Sequence, residues 1–146
     1  MSPSTQDELK KFIRLAGTSI KNPLDTGLLF RDVSLLAREV EVVAADPGID
    51  MLILMPHLDM ARFVGSGQID KMIGLLCDFT RSNRFGKPVV IAFHYFTNDP
   101  WEKEQRFKVR VELSNKGVAV YDTLAGASRA LAKLYEYSRI QKALAT

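Results

Sequence analysis

Gly86-Lys87-Pro88-Val89-Val90-Ile91-Ala92-Phe93-His94 is the stretch on which the reading of the fold turns. Its apolar run, Val89 to Phe93, does not alternate with polar residues. A strand with one wet face alternates, whereas a strand covered on both faces need not. Phe85, Gly86 and Pro88 punctuate its start. A shorter twin, Met51-Leu52-Ile53-Leu54-Met55, follows the turn Asp46-Pro47-Gly48. The segment between the twins is long enough for a crossover helix. The pair therefore predicts parallel neighbours in a sheet with helices on both faces.

The chain has 146 residues, a length that suits one domain with its own core. Apolar residues make up 47% and charged residues 25%, which fits a globular protein and leaves no apolar run of membrane-spanning length. The polar opening Met1 to Glu8 is not a signal peptide. Cys77 is the single cysteine, which excludes a disulfide framework and a cysteine metal site. A cytoplasmic setting is expected. The net charge of +3 is too small for a nucleic-acid binder. Lys103, Arg106, Lys108 and Arg110 interleave with Glu102, Glu104 and Glu112 and read as a solvated face.

Toward the N-terminus, Ser2-Pro3 opens a first helix with apolar Leu9, Phe12 and Ile13, closed by Gly17. Thr18-Ser19-Ile20 suggests a short strand. The polar turn formers Lys21 to Gly27 then feed a helix whose apolar positions are Phe30, Val33, Leu36, Ala37, Val40 and Val43. Asn22, Asp25, Thr26 and Gly27 are candidates for holding an anion there, because a helix start offers unpaired N–H groups. The plainer alternative is that Asp25 and Thr26 cap the helix.

Between the two strands, Pro56 to Gly67 forms a long mixed loop at a carboxyl strand end, where α/β sheets bind ligands. His57, Arg62 and Ser66 are its substrate-side candidates, beside Asp59, and variation of a surface loop is the rival explanation. Ser66 also suits the cap of a helix with Ile69, Met72, Ile73 and Leu76 on its apolar face. Past the second strand, Asp99-Pro100-Trp101-Glu102 is a good helix start. Phe107, Val109, Val111 and Leu113 alternate as a strand would, but the helix start and the need for a crossover before Val118-Ala119-Val120-Tyr121 predict helix from Pro100 to Asn115. Asp122 or Thr123 caps a last helix with Ala127, Ala130, Leu131, Leu134 and Tyr135. Residues 138–146 read as its tail or as a linker stub.

Several chemistries lack their sequence signature. There is no Walker-type phosphate loop and no dinucleotide fingerprint. The two histidines, His57 and His94, lie far apart without a carboxylate cluster, so no metal site is expected. Each follows a strand and could meet a ligand or simply face solvent. Val64-Gly65-Ser66-Gly67-Gln68 lacks the nucleophile-elbow spacing.

Three stretches line up in order with a known family. Ser19-Ile20-Lys21-Asn22-Pro23-Leu24-Asp25 resembles its V-x-N-P-V-D segment, and Ala45 to Leu54 resembles D-P-G-V-D-A-V-L-V. Gly86 to Val90, with Lys116 to Thr123 and Ala127 to Tyr137, resembles G-K-P-V…G-I-P-V-Y…A-x-x-A-L-x-x-L. Over about Ser2 to Tyr137 the chain resembles the NDP-forming acyl-CoA synthetases, relatives of succinyl-CoA synthetase, and within them the flavodoxin-like CoA-ligase subdomain. The resemblance implies an α/β three-layer sandwich with a mostly parallel sheet. The family's opening strand, Gly-rich turn and helix have no counterpart before Ser2-Pro3, so a domain truncated at its N-terminus is expected.

The resemblance also implies a function. Such ligases join an acid to CoA at the expense of a nucleoside triphosphate, through a phosphohistidine. This region supports phosphoryl transfer with the helix after the Asn-Pro-x-Asp segment. ATP, Mg and CoA would serve the full enzyme, with no cofactor held by this chain. Its partners would be CoA-binding and ATP-grasp domains or subunits; a homodimer is compatible, and neither nucleic acid nor membrane is implied. Neither His57 nor His94 matches the phosphorylated histidine, and Thr26-Gly27-Leu28-Leu29-Phe30 is bulkier than the family's small residues there. The expected function is thus a ligase subdomain inactive alone. The alternative is a non-catalytic flavodoxin-like docking or effector-sensing module. A flavin binder of the flavodoxin type lacks its phosphate loop.

Overall fold

The computed structural model describes residues 1–27, 32–56, 58, 66–93 and 98–145, with the side chain of Ser66 left aside. Among them the chain runs α1 (Pro3–Lys10), α2 (Val33–Ala44), β1 (Leu52–Leu54), α3 (Ser66–Ser82), β2 (Val89–Ala92), α4 (Pro100–Asn115), β3 (Val120–Tyr121) and α5 (Leu124–Leu144). The strands form one sheet in the order β1-β2-β3, and both pairings are parallel. Among the described residues the fold is thus α/β, with a small three-stranded parallel sheet and five helices, compatible with a flavodoxin-like domain.

The unalternated run behaves as its composition requires: Val90, Ile91, Ala92 and Phe93 are all buried. The register sets Leu52 beside Val89, Leu54 beside Ile91, and Ile91 beside Val120. Because strand side chains alternate, these residues share one face. That face meets Met72, Ile73 and Leu76 of α3 and Val109 and Leu113 of α4. It also meets the Leu36, Val40 and Ala44 side of α2 and, through α2, Leu9 of α1. Val90, Ala92, Ile53 and Tyr121 point the other way, toward Ala127 and Leu131 of α5.

Caps fix where the helices begin. The Ser2 hydroxyl accepts from the Thr5 N–H (3.3 Å), with Pro3 in the first turn. Asp99 accepts from the Glu102 N–H (3.1 Å), followed by Pro100, and Thr123 accepts from the Gly126 N–H (3.0 Å). A side-chain acceptor at this position satisfies a donor that the helix itself leaves open. α4 therefore covers the expected residues, and its alternating apolar residues divide as a helix divides them. Val109 and Leu113 are buried, while Phe107 and Val111 are exposed.

Two expectations change. Thr18-Ser19-Ile20 is not a strand of the sheet; only Ser19 forms a bridge, antiparallel to Asp25. The chain turns back too soon at Asn22-Pro23 to run alongside β1. The charged stretch of α4 is not wholly solvated either. Glu102 and Arg106 are buried, at the helical spacing that continues to Val109 and Leu113. Residues 138–144 continue α5 as helix.

α1 is held on α2 by the Arg38–Glu8 ion pair (3.0 Å) and by Arg38 over the Phe12 ring (4.4 Å). Its start is tied to the α2–β1 turn by Asp46. The carboxylate accepts the Ser2 N–H (2.6 Å), the Gly48 N–H (2.7 Å) and the Thr5 hydroxyl. Lys87 Nζ donates to the Asp46 carbonyl (2.6 Å), which joins this latch to the start of β2. A Cβ at Gly48 would stand 3.1 Å from Asp46 Oδ1, so the tight approach suits glycine.

Candidate functional site

The segment that sequence reading marks for an anion is a closed loop. Ser19 and Asp25 exchange both backbone hydrogen bonds, at 2.6 and 2.9 Å. Inside the loop the Ser19 hydroxyl donates to the Pro23 carbonyl (3.2 Å) and accepts from the Lys21 N–H (3.3 Å). The Asn22-Pro23 peptide is cis. Asn22 and Asp25 are exposed, and Gly27 is exposed with φ of 60°. A left-handed backbone is cheap only for glycine.

Thr26 differs from these neighbours. It is buried, and its hydroxyl donates to Glu39 Oε2 (2.6 Å). Glu39 sits on the inner side of α2 beside Leu36 and Val40. Burial pushes its carboxyl above the ordinary range, the Thr26 hydroxyl opposes that shift, and the charge of Asp25 adds to it. The bond pins the loop to the helix that follows.

The cap of α2 is Asp32, not Asp25 or Thr26. Its carboxylate accepts the N–H groups of Ser34 (2.9 Å) and Leu35 (3.3 Å), and these bonds hold it below its usual range. The first-turn donors that an anion would seek therefore already face a carboxylate of the chain itself. Of the four anion candidates, Asn22, Asp25 and Gly27 present themselves to solvent, and Thr26 faces inward.

The substrate-side candidates follow β1 in the chain. His57 and Arg62 fall outside the described residues, as do Asp59 and His94. Ser66 is the first residue of α3 rather than the residue before it. α4 begins just beyond β2 and carries buried Glu102 and Arg106 in its first turns. Sequence reading missed both, and it missed Glu39. The available signal was spacing: Glu39 and Arg106 each fall three residues from a buried apolar residue, Leu36 and Val109, and Glu102 falls four residues before Arg106.

Little of this arrangement carries covalent chemistry. Cys77 is buried, and burial pushes its thiol up, away from the reactive thiolate. Among the described residues no three His, Cys, Asp or Glu side chains come together to hold a metal ion. No described helix is long and apolar enough to cross a membrane. What the geometry offers is a pinned, exposed loop ahead of a capped helix. No family model, curated protein or solved structure matches the chain.

Proposed function

We propose that this chain is a subdomain of the kind found in NDP-forming acyl-CoA ligases, one that positions neighbouring domains and supports phosphoryl transfer without turning over alone. The observation that carries the reading is the pinned loop. Ser19 and Asp25 close it, Thr26–Glu39 ties it to α2, and Asn22 and Asp25 stand at its surface. A segment held this way has a fixed position relative to the sheet, as a surface that meets a phosphohistidine site needs. The resembling stretches also fall on consistent elements: the loop before α2, the turn into β1, the start of β2, and β3 with α5.

The three-layer sandwich belongs to the same proposal. Parallel sheets are covered on both faces. Among the described residues the face bearing Ile53, Val90 and Ala92 packs against α5 alone, and Met51, Ile53 and Met55 stay half-buried. A further helix over that face would complete the layer.

Asp32 favours a second reading. Its carboxylate occupies the donors of α2, which suits a docking or effector-sensing module with no phosphate duty. Titrating backbone amide shifts with phosphate, sulfate and chloride separates the two. The ligase reading expects saturable phosphate shifts at Gly27, Ser34 and Leu35 that strengthen in Asp32→Gly. Absence of any response in both proteins moves the assignment to the docking module. Acyl-CoA made by the purified chain alone from ATP, Mg, CoA and a panel of acids would overturn both.

A further inference from the structure

The sheet has two edges, and the chain treats them differently. β3 is two residues long, and Asp122, ion-paired with Arg110, stands directly after Tyr121. β1 forms the other edge, inside the apolar run Met51-Leu52-Ile53-Leu54-Met55. Natural sheets blunt their edges with charged residues or prolines. This run holds neither, and Asp50 and Pro56 stand only at its ends.

Half of the backbone in that run has no partner. In a parallel ladder, alternate residues of a strand bond to the same neighbour. The Leu52 N–H donates to the Pro88 carbonyl (2.9 Å), so Leu52 and Leu54 face β2. The odd residues of β2 turn to β3 instead, with the Ile91 N–H on the Ala119 carbonyl (2.9 Å) and the Phe93 N–H on the Tyr121 carbonyl (3.1 Å). By the same alternation Met51, Ile53 and Met55 aim their N–H and C=O groups away from the sheet. No described residue pairs with those groups. The side chains of the three are half-buried on the face that α5 covers. That cover is thin, because α5 is buried only at Ala127 and Leu131 and is exposed from Ala132 onward.

The run also reads the same in both directions. An antiparallel copy laid against it, about a two-fold axis at Ile53, sets Ile53 opposite Ile53, Met51 opposite Met55 and Leu52 opposite Leu54. Every facing pair is then apolar and matched in size, and no like charges meet. Met51, Ile53 and Met55 become the residues that exchange both backbone bonds with their opposites, about six bonds across the junction. A foreign strand would have to be selected for this match; a second copy supplies it by symmetry. Both β1 edges are consumed in the pairing and the β3 edges are closed by charge, so the assembly stops at two.

We propose that β1 pairs edge to edge with β1 of a second copy, antiparallel about Ile53, to make one six-stranded sheet. The axis stands normal to the sheet, so α5 and its copy lie on the same side, and the thinly covered Met51, Ile53 and Met55 of each copy adjoin those of the other. Five residues a side is well below the roughly 20–30 of a standard interface, so the dimer should be reversible at about micromolar concentration. The proposal goes beyond the ligase reading and does not depend on it, because it uses neither the Ser19–Asp25 loop nor the start of α2.

Sedimentation equilibrium from about 1 to 300 µM should show monomer and dimer in exchange. Ile53→Lys sets two ammonium groups side by side and should weaken the dimer by about tenfold or more. Leu144→Asp, at the exposed end of α5, should leave it intact. In the native protein, amide exchange at Met51, Ile53 and Met55 should slow as concentration rises, while Leu52, already bonded to Pro88, should respond far less. A protein monomeric throughout that range, a dimer unchanged by Ile53→Lys, a dimer dissolved by Leu144→Asp, or exchange at Ile53 that ignores concentration would each overturn the proposal. If Ile53→Lys does not fold, sedimentation and exchange of the native protein decide.

Discussion

Asp46 and Glu39 are both carboxylates removed from water, and their surroundings push them in opposite directions. Asp46 faces donors. The Thr5 hydroxyl and the Ser2 N–H, with the Gly48 N–H, hold its carboxyl far below the ordinary range. Glu39 is buried on α2 with the Thr26 hydroxyl as its donor, and burial raises it. Burial alone does not decide the state of a carboxyl; the donors that replace water do. At the first site the charge joins α1, the α2–β1 turn and, through the Asp46 carbonyl and Lys87, the start of β2. At the second, a buried carboxyl fastens one loop.

The largest effect should come from breaking the latch. Asp46→Ala leaves the Ser2 and Gly48 N–H groups and the Thr5 hydroxyl without their acceptor, and the melting temperature should fall by roughly 10 °C. Acid should act the same way on the native chain. Asp46 is depressed in the folded state, so its contribution is present above the unfolded carboxyl range and is lost as pH falls toward the folded value. A pH series of calorimetric melts should therefore show a steeper acid decline for the native protein than for Asp46→Asn. Parallel curves would deny Asp46 its charged role.

Thr26→Val comes next. It removes the donor from a buried carboxyl and should cost about 1–2 kcal/mol in urea unfolding. In a Glu39→Leu background the same change should cost clearly less, because the group left unsatisfied is gone. Equal losses in both backgrounds would show that the hydroxyl acts elsewhere.

Glu39→Gln should do the reverse of Asp46→Ala. A raised carboxyl burdens the fold once pH exceeds the unfolded value, since the unfolded chain ionises there and the native one resists. The variant should melt a few degrees higher at neutral pH, and the gain should vanish in acid. A gain that does not depend on pH would point to packing instead of charge.

The smallest effect belongs to Asp25→Ala. Asp25 is exposed and the cap of α2 is Asp32, so stability should stay within about 0.5 kcal/mol of the parent by urea unfolding. A loss near 1 kcal/mol, the size of a missing cap, would return the capping role to Asp25.

How far the sequence reveals this molecule depends on whether its signal is local. α4 is legible from Asp99-Pro100 and Lys116-Gly117 because caps and punctuation act within one turn. β2 is legible because a strand buried on both faces must be apolar throughout. Asp46 is half legible: Asp-Pro-Gly announces the turn and the bond to Gly48, but the Ser2 and Thr5 donors arrive from the far end of the chain. Thr26 and Glu39 are opaque for the same reason, since polar residues read as exposed until a distant partner appears. Glu102 and Arg106 are hidden by charged neighbours that really are exposed. The candidate loop was legible as a loop. That its threonine points inward and that Asp32 caps the next helix depend on tertiary geometry.

The overhang of α5 has a mechanical side. From Ala132 to Leu144 it extends roughly 20 Å beyond its last buried contact. A rotation of only about 10° at Leu131 would sweep Leu144 through about 3 Å, more than half the rise of one helical turn. The second half of α5 is therefore a lever whose fulcrum is the sheet, and small tilts at Leu131 reach Leu144 enlarged.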